Sequence, residues 1–271
     1  MIFVCPICKG ALKATERGNA LCDNSHSFDR SREGYYNLLL PSRGGVHGDC
    51  REMVEARRSF LSMGYYQPLA DLVADSVASL ARDGDSILDL GCGEGYYTDR
   101  VFRALAERGV CASVAGFDIS KDAVRRAAKR NRELQLAVAG SYHIPALDGS
   151  VDIAINTFSP LALDETRRIL RTGASFVMAI PAENHLFSLK RALYREPYRN
   201  TVLSDELEGF TLSEKIPLSY EISLDSREAV SSLFLMTPYA YRTPREARER
   251  ILMLDSLKTE VDFLIFIYKK N

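Results

Sequence analysis

The stretch that decides the fold is Ile87-Leu88-Asp89-Leu90-Gly91-Cys92-Gly93-Glu94-Gly95-Tyr96-Tyr97-Thr98. A short apolar run, 87–90, feeds a Gly-x-Gly-x-Gly turn, and a helical pattern follows. That is a strand, a tight glycine loop and a helix start. Glycine at 91, 93 and 95 lets the backbone approach a ligand where a Cβ would collide. The helix start behind the loop offers polar groups to a charged ligand. A dinucleotide-binding loop reads Gly-x-Gly-x-x-Gly. Here the third glycine comes one residue early and an acidic residue, Asp89, precedes the loop. Both departures point away from a nicotinamide cofactor.

Working outward, apolar runs alternate with helical spacing. Strands are expected at 86–90, 112–117, 134–138, 151–156 and 174–180, and helices at 97–108, 121–132 and 164–171. Such alternation implies a parallel sheet with helices on both faces. Upstream, 49–63 reads as a charged helix with Met53, Ala56, Phe60 and Met63 roughly on one face, ended by Gly64. A second helix, 65–82, carries Leu69, Leu72, Val73, Val77 and Leu80 at helical spacing. Downstream, strand-like runs at 211–223 and 260–268 flank two helices and would add an antiparallel pair. The glycine loop in this setting resembles motif I of the S-adenosylmethionine (SAM)-dependent methyltransferases. The expected class is therefore α/β, a Rossmann-like class I SAM methyltransferase fold.

The second strong signal lies near the start: Cys5-Pro6-Ile7-Cys8, then Cys22-Asp23-Asn24-Ser25-His26, a C-x2-C-x13-C-x3-H spacing. Each short pair forms one knuckle, and two knuckles complete a tetrahedral Cys3His site. Lys9-Gly10 suits the turn behind the first pair. About 40 residues build too small a core to fold alone, and a structural zinc supplies the missing stability. With four protein ligands no position stays open, so the zinc is expected to be structural rather than catalytic. The chain then divides into a zinc ribbon (1–40), a linker and helix (41–64, the linker itself being 41–48) and a methyltransferase domain (65–271).

Bulk properties fit this reading. The 271 residues suffice for one large α/β domain and a small module. No apolar run reaches the length of a membrane span and the start does not read as a signal peptide, so a cytoplasmic location and no membrane partner are expected. Three of six cysteines fall within the first 22 residues, a pattern that in a cytosolic protein indicates metal rather than disulfides. A net charge of −1 gives no global pull toward nucleic acid, so RNA contacts must come from local patches.

Cofactor contacts are expected at the carboxyl ends of the strands. Asp118, in Gly116-Phe117-Asp118-Ile119-Ser120, fits the ribose hydroxyls, with Ile119 beside it; its alternative is a helix-start residue with Ser120 as the cap. Ala139-Gly140-Ser141-Tyr142 follows the third strand, toward the adenine. Asn156-Thr157-Phe158-Ser159-Pro160 follows the fourth, where such enzymes present groups to the methyl acceptor; a plain turn around Pro160 is the alternative. Glu94 is expected to offer its carboxylate to the charged methionyl end.

Taken together, the ribbon, Phe28-Asp29, Glu33-Gly34-Tyr35-Tyr36-Asn37-Leu38-Leu39, Ala56-Arg57-Arg58, Gly64-Tyr65-Tyr66-Gln67-Pro68-Leu69, the glycine loop, Leu207-Glu208-Gly209-Phe210-Thr211-Leu212 and Met236-Thr237-Pro238-Tyr239 resemble the bacterial 23S rRNA guanine-N1-methyltransferases. The resemblance covers essentially the whole chain. It implies transfer of a methyl group from SAM to N1 of one guanine in the helix 35 hairpin of 23S rRNA, a contribution to macrolide resistance in some members, and a zinc module that helps recognise RNA. It also implies Cys5, Cys8, Cys22 and His26 as zinc ligands and Tyr66, Tyr97, Thr98 and His185 at the cofactor site. A homodimer follows by resemblance only. Sub-branches of the family differ at 156–160, which leaves the modified guanine open.

The proton on guanine N1 needs an acceptor. Asp152, Asp164 and His185 are candidates, and Phe158 and Tyr66 are candidates for stacking on the base. Arg30, Arg32, Arg57, Arg58, Lys190, Arg191, Arg195 and Arg199 could meet phosphates. The helix over 121–132 reads as a solvated basic face. Two other readings stay open on the residues alone: a SAM-dependent methyltransferase of a small molecule, and a non-catalytic zinc-ribbon RNA-binding factor.

Overall fold

A computed structural model describes residues 1–16, 18–40 and 48–271; most of the expected linker lies outside the described residues. The ribbon holds a small antiparallel sheet of β1 (Lys13–Ala14), β2 (Ala20–Leu21) and β3 (Ser27–Phe28). Then come β4 (Tyr36–Asn37), α1 (Arg51–Ser62) and α2 (Gln67–Leu80). The βα alternation follows as β5 (Ser86–Leu90), α3 (Tyr96–Glu107), β6 (Ser113–Asp118), α4 (Lys121–Arg130), β7 (Gln135–Val138), β8 (Val151–Thr157), α5 (Leu163–Ile169), β9 (Leu170–Pro181) and α6 (Phe187–Leu193). The chain finishes with β10 (Phe210–Leu224), α7 (Arg227–Leu235), α8 (Arg245–Leu252) and β11 (Leu257–Lys270).

The main sheet has eight strands in the order β10-β11-β9-β8-β5-β6-β7-β4. Strands β4 to β9 pair in parallel, while β11 runs antiparallel between β9 and β10. This is the class I SAM methyltransferase fold, a mixed sheet with helices on its faces. The chain goes from β5 to β6 on one side and later returns to β8 on the other. The crevice beyond the carboxyl end of β5 is therefore the topological switch point, where such sheets bind ligands.

Alternation along the strands sorts the core into two faces. Ile87, Val114, Leu136, Ile153, Val177 and Ile265 pack with α1, α2, α3 and α7. Leu88, Ala115, Phe117, Ala154, Phe176 and Phe266 pack on the other face, where the cluster continues into Phe3, Leu12, Ala20 and Tyr36 of the ribbon. The ribbon thus covers sheet surface that helices cover elsewhere.

Three elements differ from the sequence reading. The expected helix 164–171 ends at Ile169, and β9 begins at Leu170 rather than near 174; Val151 pairs with Leu170 and pulls the chain into the sheet early. The segment 34–39 looks like part of the ribbon, yet Tyr36 and Asn37 pair in parallel with Ala137 and Val138, so β4 is the edge strand of the main sheet. The expected helix 65–82 starts later, because Gly64 turns the chain at φ +83° and Pro68 sits in the first turn of α2, where a missing N–H costs nothing. Among the described residues, no helix is long and apolar enough to cross a membrane.

Candidate cofactor cleft and metal centre

The two cysteine knuckles fold back on each other. Cys5 N–H donates to the Gly10 carbonyl and Lys9 N–H to the Cys5 carbonyl, both at 2.8 Å; Ser25 N–H donates to the Cys22 carbonyl at 2.9 Å. Lys9 and Ser25 take left-handed backbone (φ +61° and +62°), which curls each knuckle tightly enough to point both ligands inward. The ligand atoms of Cys5, Cys8, Cys22 and His26 all lie within 4.8 Å of one another. Cys8 and Cys22 Sγ are 3.6 Å apart, and His26 Nδ1 is 3.5 and 3.4 Å from Cys5 and Cys22 Sγ. A tetrahedron with zinc–sulfur bonds of about 2.3 Å has edges of about 3.8 Å, so three sulfurs and one imidazole nitrogen already stand near zinc spacing. The Gly10 amide, with His26 behind it, holds the Cys8 thiol down at about 6, toward the thiolate a metal takes.

At the switch point the glycine loop is set by its neighbours. Gly91 (φ +85°) faces the Ser159 side chain, with which a Cβ would collide, and Gly95 (φ +81°) would place a Cβ 2.9 Å from that of Ala127 on α4. A Cβ at Gly93 would meet nothing within 4 Å. The first and third glycines let the loop pack, and the second opens onto the cleft. Asp118, at the end of β6, accepts Gly93 N–H at 3.0 Å and Ser120 N–H at 2.7 Å. Ser120 Oγ caps α4 by accepting Ala123 N–H at 3.4 Å. Both readings of this segment hold together: Ser120 is the cap, and Asp118 ties β6 to the loop with further lone pairs available. Burial raises the Asp118 carboxyl, and the two amides oppose that rise. Ile119 follows it, half-buried.

Asp89 is buried and accepts Thr98 Oγ–H at 2.6 Å through one oxygen, while the other has no partner. Burial lifts this carboxyl to about 7. Tyr97 Oη, Asn156 Nδ2 and Thr157 Oγ are also buried without partners among the described residues. Buried polar atoms are normally satisfied. Four orphans gathered at the ends of β5 and β8 and the start of α3 mark a place built for a polar guest, and the carboxyl groups of Asp89 and Asp118 suit SAM, whose sulfonium and ammonium outweigh its one carboxylate. The cleft residues therefore fit SAM.

Phe158 stands at the rim with φ +60° and is 41% exposed, an unfavourable backbone and an unfavourable exposure for a phenylalanine. Its ring lies 6.2 Å from Tyr97 and 5.7 Å from Phe263. Behind them Tyr66 is edge-on to Phe263 at 5.1 Å and to Phe60 at 5.0 Å. Tyr66 Oη and His185 Nε2 are 3.3 Å apart, and His185 Nδ1 accepts the Asp262 N–H at 3.3 Å. That backbone bond puts the imidazole proton on Nε2, which donates to Tyr66. Burial, with Lys190 nearby, lowers His185 to about 3, so the ring is neutral and both nitrogens are engaged.

The geometry corrects several expectations. Glu94 is not a free carboxylate: buried, it takes Arg130 Nη2 on both oxygens, at 2.8 and 2.7 Å. Asp152 lies at the start of β8, the opposite end of the sheet, where it pairs with Arg171 and accepts Ser86 N–H at 2.8 Å. Asp164 is 92% exposed and pairs with Arg167 at 2.9 Å. His185 offers no free basic atom. Lys190 meets no phosphate: it is fully buried, donating to Asn200 Oδ1 at 2.6 Å and to the Tyr198 carbonyl at 3.2 Å. Arg57 turns inward to pair with Asp49. The basic helix α4 is not wholly solvated, since Arg126 and Arg130 reach Glu55 and Glu94. Asp262 and Arg130 escaped sequence reading because each acts across a long chain separation, and Asn200 because the chain after α6 folds back over Lys190.

Comparison with known proteins agrees. Residues 3–43 match the zinc-ribbon family described as RlmA, N-terminal, and residues 81–197 match a methyltransferase domain. A Bacillus subtilis (strain 168) protein provisionally named 23S rRNA (guanine-N(1)-)-methyltransferase YxjB is 31% identical over 97% of this chain and 96% of its own length. The 23S rRNA (guanine(748)-N(1))-methyltransferase of Streptomyces fradiae is 36% identical over 70% of this chain and 66% of its own. A Micromonospora griseorubida protein provisionally given the same activity as the first is 32% identical over 92% and 90%.

Proposed function

This chain belongs to the family of 23S rRNA (guanine-N1)-methyltransferases, and from that premise we propose that it methylates N1 of one guanine in the helix 35 hairpin of 23S rRNA. Its cofactors are SAM and a structural zinc. The observation that carries the substrate reading is Phe158: a strained, half-exposed aromatic beside the glycine loop, flanked by the unpartnered Asn156 Nδ2 and Thr157 Oγ. A face that a protein keeps exposed at such a cost is a platform for a flat ligand.

N1 lies on the Watson–Crick edge, so a paired guanine must leave its stack before it reacts. Phe158 receives the extruded base, while Tyr97 and Asn156 stay with the cofactor. When bound, SAM supplies an electrophilic methyl group; the chain's part is to hold the nucleophile in line with it, and the N1 proton passes to solvent water as the methyl arrives. His185 acts through Tyr66: by donating from Nε2 it fixes the phenol's acceptor side and leaves its O–H free to donate into the cleft. Asp118 and Ile119 serve the ribose side, and Asp89 and Thr98 hold the loop from below. The ribbon, 1–40, takes the RNA, with Cys5, Cys8, Cys22 and His26 as the metal ligands; the enzyme works in the cytoplasm as a dimer, and its product changes macrolide sensitivity.

The test is primer extension across helix 35, after incubating protein and SAM with 23S rRNA from a strain lacking this methylation. A methyl group on N1 blocks pairing, so a SAM-dependent stop one nucleotide short of the target would name the guanine. Read-through on both rRNA and assembly precursors would refute the assignment. Macrolide inhibitory concentrations, with and without the gene, test the last clause.

A further inference from the structure

An amino-acid end entering the cleft brings a carboxylate, which needs a cation once water is stripped from it. The arginines around the loop are not equivalent. Arg130 is committed to both oxygens of Glu94, and Arg126 to Glu55 at 2.8 Å. Arg58 is exposed on the outside of α1. Arg57 points inward, its side chain 29% exposed and Nη2 3.4 Å from the Met236 carbonyl. Its charge favours ionisation of Asp118 and Tyr97, and of Glu94 after Arg130 and the exposed Arg58.

Its partner, Asp49, belongs to the short lead-in to α1, and that lead-in rests on the ribose side of the cleft. Ser120 Oγ–H donates to the Asp49 carbonyl at 3.2 Å, two residues beyond Asp118. A Cβ on Gly48 would come within 2.7 Å of Ile119 Cγ2. An inward-pointing guanidinium beside the cleft is thus held by one carboxylate that is itself 31% exposed. The pair is half-buried rather than sealed, and a guanidinium can take another carboxylate through two parallel bonds.

We propose that Arg57 binds the carboxylate of the cofactor's methionyl end, and that Asp49 is the stand-in it releases when the cofactor enters. The inference rests on SAM as cofactor and not on the identity of the RNA. Exchange of one carboxylate for another keeps the guanidinium neutralised throughout. It also frees the lead-in over Ile119 and Ser120, so that grip at the methionyl end is coupled to access at the ribose end.

The test is calorimetric titration of the full, zinc-loaded chain with S-adenosylhomocysteine and with its decarboxylated form, 5′-S-(3-aminopropyl)-5′-thioadenosine. No RNA and no turnover are involved. Arg57→Ala should weaken S-adenosylhomocysteine about 10- to 100-fold, the range for a charge-assisted pair, and leave the decarboxylated ligand unchanged. Arg57→Lys should recover part of the loss. Asp49→Asn should tighten S-adenosylhomocysteine and not its decarboxylated form. Equal losses on both ligands in Arg57→Ala, or no loss, overturn the assignment of Arg57; weaker binding in Asp49→Asn overturns the stand-in. Should Arg57→Ala misfold, Arg57→Gln is read by the same comparison. A wild-type chain that binds neither ligand would instead fail the cofactor reading on which the proposal rests.

Discussion

Arg130→Ala should damage this protein far more than the loss of an ordinary surface arginine. Glu94 keeps 2% of its side-chain surface in water, and Arg130 satisfies both of its oxygens while its Nε reaches the Glu94 carbonyl at 3.3 Å. The guanidinium also lies 5.6 Å from the Tyr96 ring centre. Removing one partner of a buried pair leaves an uncompensated charge, at a cost of about 3–5 kcal/mol. Arg130 itself is 24% exposed, so water can partly enter its place and the lower end of that range, about 3 kcal/mol, is expected. The pH dependence has a definite sign. Burial already raises Glu94 above 4.5 even with Arg130 opposing it, and without Arg130 it rises further. Between 4.5 and that higher value the folded variant holds a proton the unfolded chain has lost, so its stability falls as pH rises. The deficit against wild type should therefore be full at pH 8 and shrink toward pH 5. Glu94→Met with Arg130→Met, which removes both charges, should return close to wild type. Urea unfolding in zinc-saturated buffer, with each variant read against wild type at the same pH, measures all three. A loss below about 1 kcal/mol, typical of an exposed pair, or a double variant no better than Arg130→Ala, would refute the reasoning.

Three further outcomes are expected. Asp89, raised to about 7 by burial, should ionise when the cationic cofactor binds; SAM affinity should climb as pH rises through 7, with proton release seen by calorimetry in two buffers, and Asp89→Asn should flatten the profile. The same group holds a proton in the folded chain between 3.8 and about 7 that the unfolded chain has lost, so it lowers stability as pH rises across that window and Asp89→Asn removes the slope. His185, at about 3, should show no imidazole titration between pH 5 and 8 by nitrogen NMR, and Tyr66→Phe, which strands its Nε2–H, should cost about 1–3 kcal/mol of stability; titration near 6.5 would contradict the buried tautomer. Chelation or Cys22→Ser should unfold the ribbon, since a structural zinc supplies about 10–16 kcal/mol of apparent binding free energy, and hydrogen exchange should accelerate at Leu38 N–H, which donates to Val138 at 2.9 Å.

What could be read in advance was whatever is local. The loop at 91–95 announces itself because three glycines in five residues have few other uses, and β5 to β9 follow from apolar runs between helical spacings. The four zinc ligands come in two short pairs, so their meeting in space was legible too. What escaped reading depends on partners remote in the chain. Glu94 looks like a residue offered to a ligand until Arg130, 36 positions on, is found to hold it. Lys190 shares helical spacing with Arg191 and Arg195, and only Asn200, Tyr198 and Tyr239 closing over it reveal a buried cation. Asp152 looks available until β8 is oriented, which places it at the far end of the sheet. Arg57 and Arg58 are neighbours in sequence, but one helical step turns the first inward and leaves the second in solvent.

The edge strand β4 carries a consequence for how the chain is made. Its partner, β7, is translated about a hundred residues later, and the first residues dock on the same late region: Ile2 N–H donates to Gln135 Oε1 and Val4 N–H to the Pro145 carbonyl. On the ribosome, the ribbon can take up its metal early yet must carry an unpaired strand until β7 emerges. An unpaired edge is a template for wrong partners. Here it is only two residues long, too short to recruit a neighbour, so a nascent chain can wait for its own sheet without aggregating.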